Sequence, residues 1–346
     1  MDPLNPPLVE DVAWLPMDDP SAAGGARRAA EKLAEQLGFP GPRAAEVGLA
    51  VTEIGTNVLR HGGGGAVLLR AVHSDRAGAL EIVAVDTGPG MSDVPTSSRD
   101  GHSTTGTLGV GLGAIGRLAD TLDIGSRPGR GTVLVARFRP ERGEPPPGPY
   151  AAGITRALSG EQLCGDAYAL REDGDRLWML LCDGAGHGPL AAAAAREAVR
   201  AFTEPERAPA GPVAALTTIH GAMSGTRGGA VAVAVLEPDA GLVRFAGVGN
   251  VAGAVVSGST KRSMISVGGI AGYRVPATLR AYDYPLAADG VVVLHSDGVR
   301  PRWRAEDLAP LPRRNPVVLA AALLVDEGVR QDDASVVVAR PRAGAP

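Results

Sequence analysis

Apolar residues in the first half of the chain recur at the spacings of two amphipathic helices and several short strands. Residues 24–38 and 43–61 place Ala, Leu, Val and Ile three or four positions apart, which predicts two helices with one apolar face each. The runs 66–73, 80–86 and 132–138 are short and rich in β-branched residues, which predicts strands. Helices and strands mixed without regular alternation indicate one sheet with helices on one face.

In the second half the apolar runs are more continuous. Strands are predicted at 175–183, 229–237, 242–249, 290–297 and 334–340. Helices are predicted at about 190–203, 211–223 and 316–328. Runs as apolar as "LWMLL" and "VAVAV" indicate strands that are buried on both faces in a layered α/β body.

A proline-rich segment separates the two halves. Residues 140–149, "PERGEPPPGP", contain proline, glycine and charge but no apolar residue, which predicts an exposed, semi-extended linker. A chain of 346 residues also exceeds the usual size of one domain. We therefore predict one domain at 1–139, the linker at 140–149 and a second domain at 150–346.

Charge and cysteine content restrict the function. The 34 Lys and Arg against 38 Asp and Glu leave a net charge of −4, which argues against nucleic-acid binding. Cys164 and Cys182 are too few for a disulfide framework and are expected to be small buried hydrophobic residues of a protein in a reducing compartment. No apolar run approaches the roughly 20 residues of a membrane span. We expect a cytoplasmic protein that binds neither nucleic acid nor membrane.

Polar residues of the first half suggest a nucleotide site. Glu53 and Asn57 lie four apart on one face of the second predicted helix, and such oxygen ligands suit Mg²⁺, although a solvated polar face is the alternative. Asp86 ends a strand in "DTGPGM", where Gly88 and Gly90 allow the backbone to approach a ligand. A plain turn explains that stretch equally well when it is taken alone.

A glycine-rich loop, "GTLGVGLG", follows. The backbone N–H groups of Gly109, Gly111 and Gly113 would point toward the start of the next helix, where they favour a polyphosphate. Thr132 closes a further glycine turn, "GRGT", at the start of the last strand. The loop lacks Gly-Lys-Ser/Thr, so it is not a P-loop.

These four segments, in this order, resemble the GHKL-type ATP-binding fold of histidine kinases, gyrase-like ATPases and the serine kinases of bacterial sigma-factor switches. "TEIGTN" is similar to the N-box, "DTGPG" and "GRGT" to the glycine boxes, and "GTLGVGLG" to the lid. The tract "DGHSTTGTLGVGLGAIGRLADTLDIGSRPGRGT" is most similar to RsbT-like kinases. The resemblance covers most of residues 10–139 and implies a sandwich of a mixed sheet with helices on one face.

The resemblance also implies roles for these residues around ATP and Mg²⁺. Asn57 would ligate Mg²⁺, Glu53 would act as the base or orienting group for the acceptor hydroxyl, and Asp86 would receive the adenine amino group. Other residues would shape the pocket: Gly88, Gly90, Gly109, Gly111, Gly113 and Thr132. None of the six histidines lies where a phosphorylated-histidine helix would place one, so the implied acceptor is a serine or threonine of another protein.

Aspartates recur beside the apolar strands of the second half. They lie in "GDAY" (Asp166), "DGAGHG" (Asp183), "SDGV" (Asp297) and "DDAS" (Asp332 and Asp333). Carboxylates that a fold gathers at strand ends repel one another unless divalent cations lie between them. Oxygen ligands suit Mg²⁺ or Mn²⁺ rather than zinc. A single Asp-Gly pair is usually only a turn, which remains the alternative for each motif.

Taken together, these motifs resemble the metal-dependent serine/threonine phosphatases of the PPM superfamily, SpoIIE branch, and most closely the RsbX-like members, over about 152–340. The resemblance implies a four-layer αββα sandwich and two Mn²⁺ or Mg²⁺ ions. Asp183 would bridge the ions with help from the Gly184 carbonyl. Asp297 and Asp332 would complete the ligands, and Asp166 would bind directly or through water.

Two further residues are candidates for the phosphatase chemistry. His187 in "GAGHG" would donate a proton to the leaving serine, while a loop histidine that faces solvent is the alternative. Arg156 is the candidate for contact with the substrate phosphate. Hydroxide activated by the two cations would attack phosphorus in line.

The preferred hypothesis joins two opposed activities in one chain. An ATP-dependent serine kinase-like domain would be fused to a metal-dependent phosphatase, and both would act on STAS-domain antagonist proteins in partner switching, with a sigma factor or a stressosome-like complex as further partners. In a second hypothesis the first domain only binds nucleotide and a partner, in the manner of an anti-sigma module. In a third, the metal site is degenerate and the chain is a scaffold.

Overall fold

The computed structural model describes residues 8–73, 78–94, 111–143, 150–204, 209–308, 311, 314–329 and 331–342. Backbone contacts divide the chain into two units. The N-terminal unit contains Pro7–Gly148 and Arg313–Asp326, and the C-terminal unit contains Pro149–Pro312 and Glu327–Pro346. The predicted lid residue Gly109 lies outside the described residues.

The N-terminal unit is built on a five-stranded sheet. In chain order its described elements are β1 Leu8–Met17, α1 Ala22–Gln36, α2 Gly41–His61, β2 Gly65–His73, β3 Gly78–Asp86, α3 Gly111–Leu118, β4 Thr121–Ser126 and β5 Thr132–Phe138. The strand order is β1-β2-β3-β5-β4. All four pairings are antiparallel.

The helices of this unit pack on one face of the sheet, as predicted. Val47, Val51 and Ile54 of α2 belong to the same buried cluster as Leu69 and Ile82 of the sheet. The prediction of a mixed sheet is wrong in this detail, because the pairs β2–β3 and β4–β5 are consecutive strands, and such neighbours pair antiparallel. The fold class itself is confirmed.

Strand β1 was not predicted from the hydrophobic pattern. Its register against β2 shifts between Asp11 and Ala13, so a bulge interrupts the alternation of inward and outward side chains. β1 is also an edge strand, where the period-two pattern is under weaker constraint.

The start of the predicted linker is attached to the N-terminal unit. Arg142 donates to the Glu46 carboxylate (2.9 Å) and to the carbonyls of Arg117 (3.1 Å) and Leu118 (3.2 Å). Arg142 is exposed, as expected for the linker, and its guanidinium also reaches acceptors on α2 and α3.

The C-terminal unit contains two further five-stranded sheets. In chain order, the remaining elements are β6 Ala151–Arg156, β7 Asp166–Asp173, β8 Arg176–Gly184, α4 Pro189–Thr203, α5 Pro212–Ala222, β9 Gly229–Glu237, β10 Leu242–Val248, β11 Ala252–Ser257, β12 Thr260–Met264, β13 Tyr282–Pro285, β14 Val291–His295, α6 Ala305–Leu308, α7 Pro316–Glu327 and β15 Ala334–Ala339. All of them belong to the C-terminal unit except α7, of which only the last residue, Glu327, does. One sheet has the order β13-β10-β9-β8-β7, and the other β12-β11-β14-β15-β6.

Strand β8 is buried on both faces, as its continuous apolar run predicts. Trp178 and Cys182 belong to a cluster with α4 and α5 on one side of the sheet. Leu177, Met179 and Leu181 belong to a second cluster that joins the two sheets of this unit. A helical layer and two stacked sheets therefore enclose two cores, with α4 and α5 as the helical layer.

The two cysteines differ in environment. Cys182 is completely buried, which confirms the expectation for that residue, whereas Cys164 is only partly buried because it lies in the loop before β7. Both are free thiols. Across the described ranges, no helix is both long enough and apolar enough to cross a bilayer.

Helix α7 belongs to the N-terminal unit by its backbone contacts, except for its last residue, Glu327. Asp123 of β4 accepts from Arg314 Nη1 (3.0 Å) and from the backbone N–H of Asn315 (2.6 Å), just before the helix. Near its end, Asp326 pairs with Arg127 (2.6 Å). These polar contacts fix both ends of the helix within the N-terminal unit, although its sequence lies in the second half of the chain.

Candidate functional site

Two of the predicted metal-binding aspartates face each other across neighbouring strands. Asp166 begins β7 and Asp183 lies near the end of β8, and the strand register pairs them directly. Burial raises the pKa of Asp166 to about 7. Burial, followed by the negative charges of Asp166 and Asp297, raises the pKa of Asp183 to about 8. The fold thus gathers carboxylates that interact unfavourably when all are ionised.

Asp297 and Asp332 lie in the same group. Burial and the charge of Asp297 raise the pKa of Asp332. The side-chain amide of Asn250, in the turn between β10 and β11, donates to Asp297 Oδ2. Together with the interactions of Asp183, these contacts show that carboxylates from four separate segments lie close together.

Asp333, next to Asp332, has a different environment. It is buried, and its two oxygens accept from the backbone N–H groups of Leu158 (2.8 Å) and Gly165 (2.9 Å). Asp333 therefore fastens the 158–165 loop beside the carboxylates. Asp332 Oδ1 accepts from the Asp333 N–H (2.9 Å), and Asp332 remains the predicted ligand of the pair.

The donor chemistry of this group fits a divalent cation. Among the residues that the structure describes, Asp166 Oδ2 and Asp183 Oδ2 are buried and have no hydrogen-bond partner. A buried carboxylate oxygen without a donor is costly unless a cation or proton neutralises it. Within the part of the chain that the structure describes, no three His, Cys, Asp or Glu side chains form a ready metal site. The fit therefore rests on oxygen donors and on these two unsatisfied atoms.

The loop after Asp183 is closely packed. Gly184 donates its N–H to the Gly165 carbonyl (3.1 Å), and a side chain on Gly184 would collide with the carbonyl of Ala191 in α4. Only glycine allows this approach, which holds the loop against the start of α4. The Gly184 carbonyl remains a predicted ligand.

His187 lies on the exposed part of the same loop. Its Nδ1 is 3.1 Å from Glu161 Oε1, and the imidazole is more than half exposed. Arg156, the candidate for phosphate contact, donates instead to the Val329 carbonyl (3.0 Å). Both proposed roles remain predictions.

In the N-terminal unit, Asp86 lies at the end of β3, as predicted. Its Oδ1 accepts from the backbone N–H groups of Gly88 (2.9 Å) and Thr132 (3.2 Å). Burial raises the pKa of Asp86, and the two hydrogen bonds oppose that shift. The "DTGPG" and "GRGT" segments therefore meet at this carboxylate.

The two glycine segments are also joined by their backbones. Gly129 donates to the Pro89 carbonyl (2.8 Å). Gly90 has a φ of +67° and lies so close to the Arg127 carbonyl that a side chain would not fit. Sequence reasoning singled out Gly90 as a position where the backbone could approach a ligand. The structure shows that Gly90 lies close to neighbouring backbone, and the roles of these glycines toward ATP remain predictions.

Glu53 and Asn57 lie next to the first residues of α3. A methyl group built on Gly111 would be 3.3 Å from both Asn57 Nδ2 and Asn57 Oδ1, and 3.6 Å from Glu53 Oε2. Within the described ranges, Asn57 Nδ2 is buried without a hydrogen-bond partner. Gly111 and Gly113 lie inside the first turn of α3, so the predicted loop ends sooner than the glycine pattern suggests.

Sequence reasoning missed two residues at the carboxylate group. Asn250 follows "GVG" with no acidic motif around it, and Glu161 lies in an irregular loop. Asn250 reaches Asp297 through the pairing of β11 with β14, and Glu161 reaches His187 across the β7–β8 hairpin. Asp333 was noted only as the neighbour of Asp332, and its tethering role required the coordinates.

Comparisons with known proteins agree with this organisation. The family described as "Histidine kinase-like ATPase domain" matches residues 17–138, and the family described as "Stage II sporulation protein E (SpoIIE)" matches residues 173–342. "Serine/threonine-protein kinase RsbT" of Bacillus subtilis (strain 168) is 34% identical over 111 residues, which are 32% of this chain and 84% of that protein.

Solved structures match the chain as well. A chain of the structure described as "The bacterial stressosome: a modular system that has been adapted to control secondary messenger signaling" is 29% identical, with a TM-score of 0.51 over 55% of this chain and 98% of that one. A second is described as "Crystal structure of RsbX in complex with magnesium in space group P1". It is 18% identical, with a TM-score of 0.47 over 54% of this chain and 92% of that one.

The chain thus combines an ATPase-type domain with a phosphatase-type domain. Through residues 17–138 it belongs to the histidine kinase-like ATPase family, with RsbT as a homologue, and its residues 173–342 match the SpoIIE family.

The raised pKa values predict how the stability of the metal-free protein depends on pH. Because the folded-state pKa of Asp183 is about 8 and the ordinary value is 3.8, the folded state keeps a proton that the unfolded state loses, so stability falls as pH rises from about 4 to about 8. Asp183→Asn removes the ionisable group and with it this loss of stability at high pH. In chelator, its unfolding temperature should exceed that of the wild type by more at pH 8.5 than at pH 5.

The matched control is Asp175→Asn, in the exposed turn of the same β7–β8 hairpin. It should follow the wild type at every pH. Identical pH slopes for wild type and Asp183→Asn, measured by thermal unfolding, would contradict the assignment of a repulsive carboxylate group.

Proposed function

We propose that the C-terminal domain is a metal-dependent phosphatase of phosphoserine and phosphothreonine, and that the N-terminal domain is an ATP-dependent serine kinase. The observation that carries the proposal is the pair of buried, unsatisfied oxygens of Asp166 and Asp183 at facing strand positions. Divalent cations would neutralise these buried oxygens. A metal-dependent phosphatase uses such cations to activate water and to stabilise charge on the phosphoryl group.

Two Mn²⁺ or Mg²⁺ ions fit the oxygen-only donor set. Asp183, with the Gly184 carbonyl, would lie between the ions, and Asp166, Asp297 and Asp332 would supply the remaining protein ligands. When bound, the ions would lower the pKa of a water molecule and withdraw charge from the phosphoryl oxygens. The residues themselves fix the donors, since Asn250 orients Asp297 and Asp333 holds the neighbouring loop.

His187 is proposed to donate a proton to the leaving serine or threonine oxygen. Glu161 accepts a hydrogen bond from His187 Nδ1 when that nitrogen carries a proton, which leaves Nε2 facing outward. The exposure of the imidazole supports this role, because the leaving oxygen belongs to another protein and must reach it from solvent.

For the N-terminal domain, we propose that Asn57 ligates the Mg²⁺ that accompanies ATP. Among the described residues its Nδ2 is buried without a hydrogen-bond partner, and a carboxamide oxygen is the kind of hard ligand that Mg²⁺ accepts. Glu53 would orient or deprotonate the acceptor hydroxyl, and Asp86 would accept from the adenine amino group. The remaining predicted pocket residues would shape the cavity: Gly88, Gly90, Gly109, Gly111, Gly113 and Thr132.

The proposed substrate is a STAS-domain antagonist protein in a partner-switching pathway. The homologue RsbT is named as a serine/threonine kinase, and the matched stressosome structure belongs to a system described as controlling signalling. A kinase and a phosphatase on one chain would set the phosphorylation of one such protein in opposite directions. A sigma factor or a stressosome-like complex would be the further partner, and the cytoplasmic location expected from the cysteine content is part of this proposal.

The phosphatase predicts hydrolysis of p-nitrophenyl phosphate in the presence of Mn²⁺. Asp183→Ala removes the central ligand, so its rate should fall to that of the reaction without protein. Asp175→Asn, in the exposed turn of the same hairpin, should retain the wild-type rate. Equal rates for wild type and Asp183→Ala would refute the proposed site.

The kinase predicts transfer of labelled phosphate from ATP to candidate STAS-domain proteins. Asn57→Ala should abolish transfer because Mg²⁺ loses a ligand, whereas Glu35→Ala, on an exposed position of α1, should not affect it. If the wild type binds ATP but transfers nothing, the N-terminal domain is a nucleotide-dependent binding module, and this half of the proposal is lost.

A further inference from the structure

Large exposed apolar residues are concentrated around the Asp183–Gly188 loop. Seven such residues are exposed among those the structure describes, and four lie in segments that contact this loop: Leu163 (44% exposed), Leu190 (58%), Ile270 (43%) and Tyr273 (82%). Single exposed apolar residues are ordinary, but a group of them beside a reactive site marks an interaction surface.

Leu163 and Leu190 border the loop on one side. The loop residue Gly184 is bonded to Gly165, and a methyl group built on Gly165 would lie 2.9 Å from Ala191 Cβ in α4. Leu163 is two residues before Gly165, and Leu190 is one residue before Ala191. Their exposed side chains therefore flank the same edge of the carboxylate group.

Ile270 and Tyr273 border it on the other side. Gly229 is the register partner of Gly184 across β8 and β9. Gly229 and Ala271 exchange two backbone hydrogen bonds of 3.1 and 2.8 Å. Ile270 precedes Ala271 directly and Tyr273 follows two residues later, so this apolar pair is fixed to the strand end next to Asp183.

A cation also lies beside this loop. Arg227 is exposed, and its Nη1 would lie 3.1 Å from a methyl group built on Gly186 in the loop. Its backbone is fixed, because the Thr226 hydroxyl accepts from the Gly228 N–H (2.9 Å) and the Gly228 carbonyl accepts from the Ala185 N–H (2.9 Å). Among the described residues, its guanidinium has no hydrogen-bond or ion-pair partner.

We propose that Leu163, Leu190, Arg227, Ile270 and Tyr273 form a docking surface for the polypeptide on either side of the substrate's phosphorylated residue. This inference rests on the proposed phosphatase function. The occupant follows from the place of the surface: whatever presents a phosphoserine to the carboxylate group must pass between its two apolar sides. Arg227 is free to bind an anionic group of that polypeptide, and apolar residues on both sides would contact its flanking side chains.

The surface predicts a difference between protein and small substrates. Hydrolysis of serine-phosphorylated casein and of p-nitrophenyl phosphate is measured with Mn²⁺ for the wild type, Leu190→Ser/Tyr273→Ser and Arg227→Gln. Each variant should raise KM for casein by about five-fold or more, as expected for the loss of about 1 kcal/mol of contact energy. For Leu190→Ser/Tyr273→Ser, kcat/KM for p-nitrophenyl phosphate should stay at the wild-type value, because that substrate is too small to reach either apolar side.

Leu49→Ser is the matched control, since Leu49 is 50% exposed on α2 of the other unit. This variant should hydrolyse both substrates with the wild-type kinetic constants. An unchanged KM for casein in both docking variants, or an equal loss with both substrates, would overturn the docking surface. A wild type that hydrolyses neither substrate would instead refute the phosphatase itself, so the two failures are distinguishable.

Discussion

Electrostatic repulsion between Asp166 and Asp183 is the constraint on which the catalytic half of this protein depends. The strand register places these two carboxylates opposite each other, and burial deprives them of water. Without added positive charge, the fold can hold them only by keeping protons on them. A site that destabilises its own metal-free state in this way gains most from binding divalent cations, since the same repulsion becomes attraction to the ions.

The surrounding structure supplies the order that such a site needs. Asp333, just before β15, accepts hydrogen bonds from the backbone of the 158–165 loop and holds this loop in place. Gly184 allows α4 to approach the end of β8 closely. In the N-terminal unit, Asp86 is likewise held by two backbone N–H groups, from the two glycine-containing turns beside it. In both units, a carboxylate at a strand end is fixed by backbone donors or by dense packing rather than by neighbouring side-chain charge.

Much of the fold and of the two candidate sites could be predicted from the sequence, because the patterns that indicate them are local. Each aspartate adjoins an apolar run, so its place at a strand end could be predicted without knowing the sheet order. The first two helices of the N-terminal domain and most central strands follow from periodicity, and the glycines beside Asp86 follow from motif spacing. The pairing of Asp166 with Asp183 was not predictable, because it depends on the register of a hairpin and not on either motif.

What escaped prediction depends on contacts between distant segments. Strand β1 was hidden by its bulge at Asp11, and Asn250 reaches Asp297 only through the pairing of β11 with β14. The antiparallel order of the first sheet also depends on which strands become neighbours. The association of α7 with the N-terminal unit rests on Asp123 and Arg127, whose partners lie about 190 or more residues away.

Anomalous diffraction from crystals soaked in Mn²⁺ tests the central claim most directly. Metal peaks in contact with the Asp183 carboxylate and shared with Asp166, Asp297 or Asp332 are the expected result. Well-ordered carboxylates with no anomalous peak near Asp183, or manganese bound only at unrelated surface positions, would contradict it.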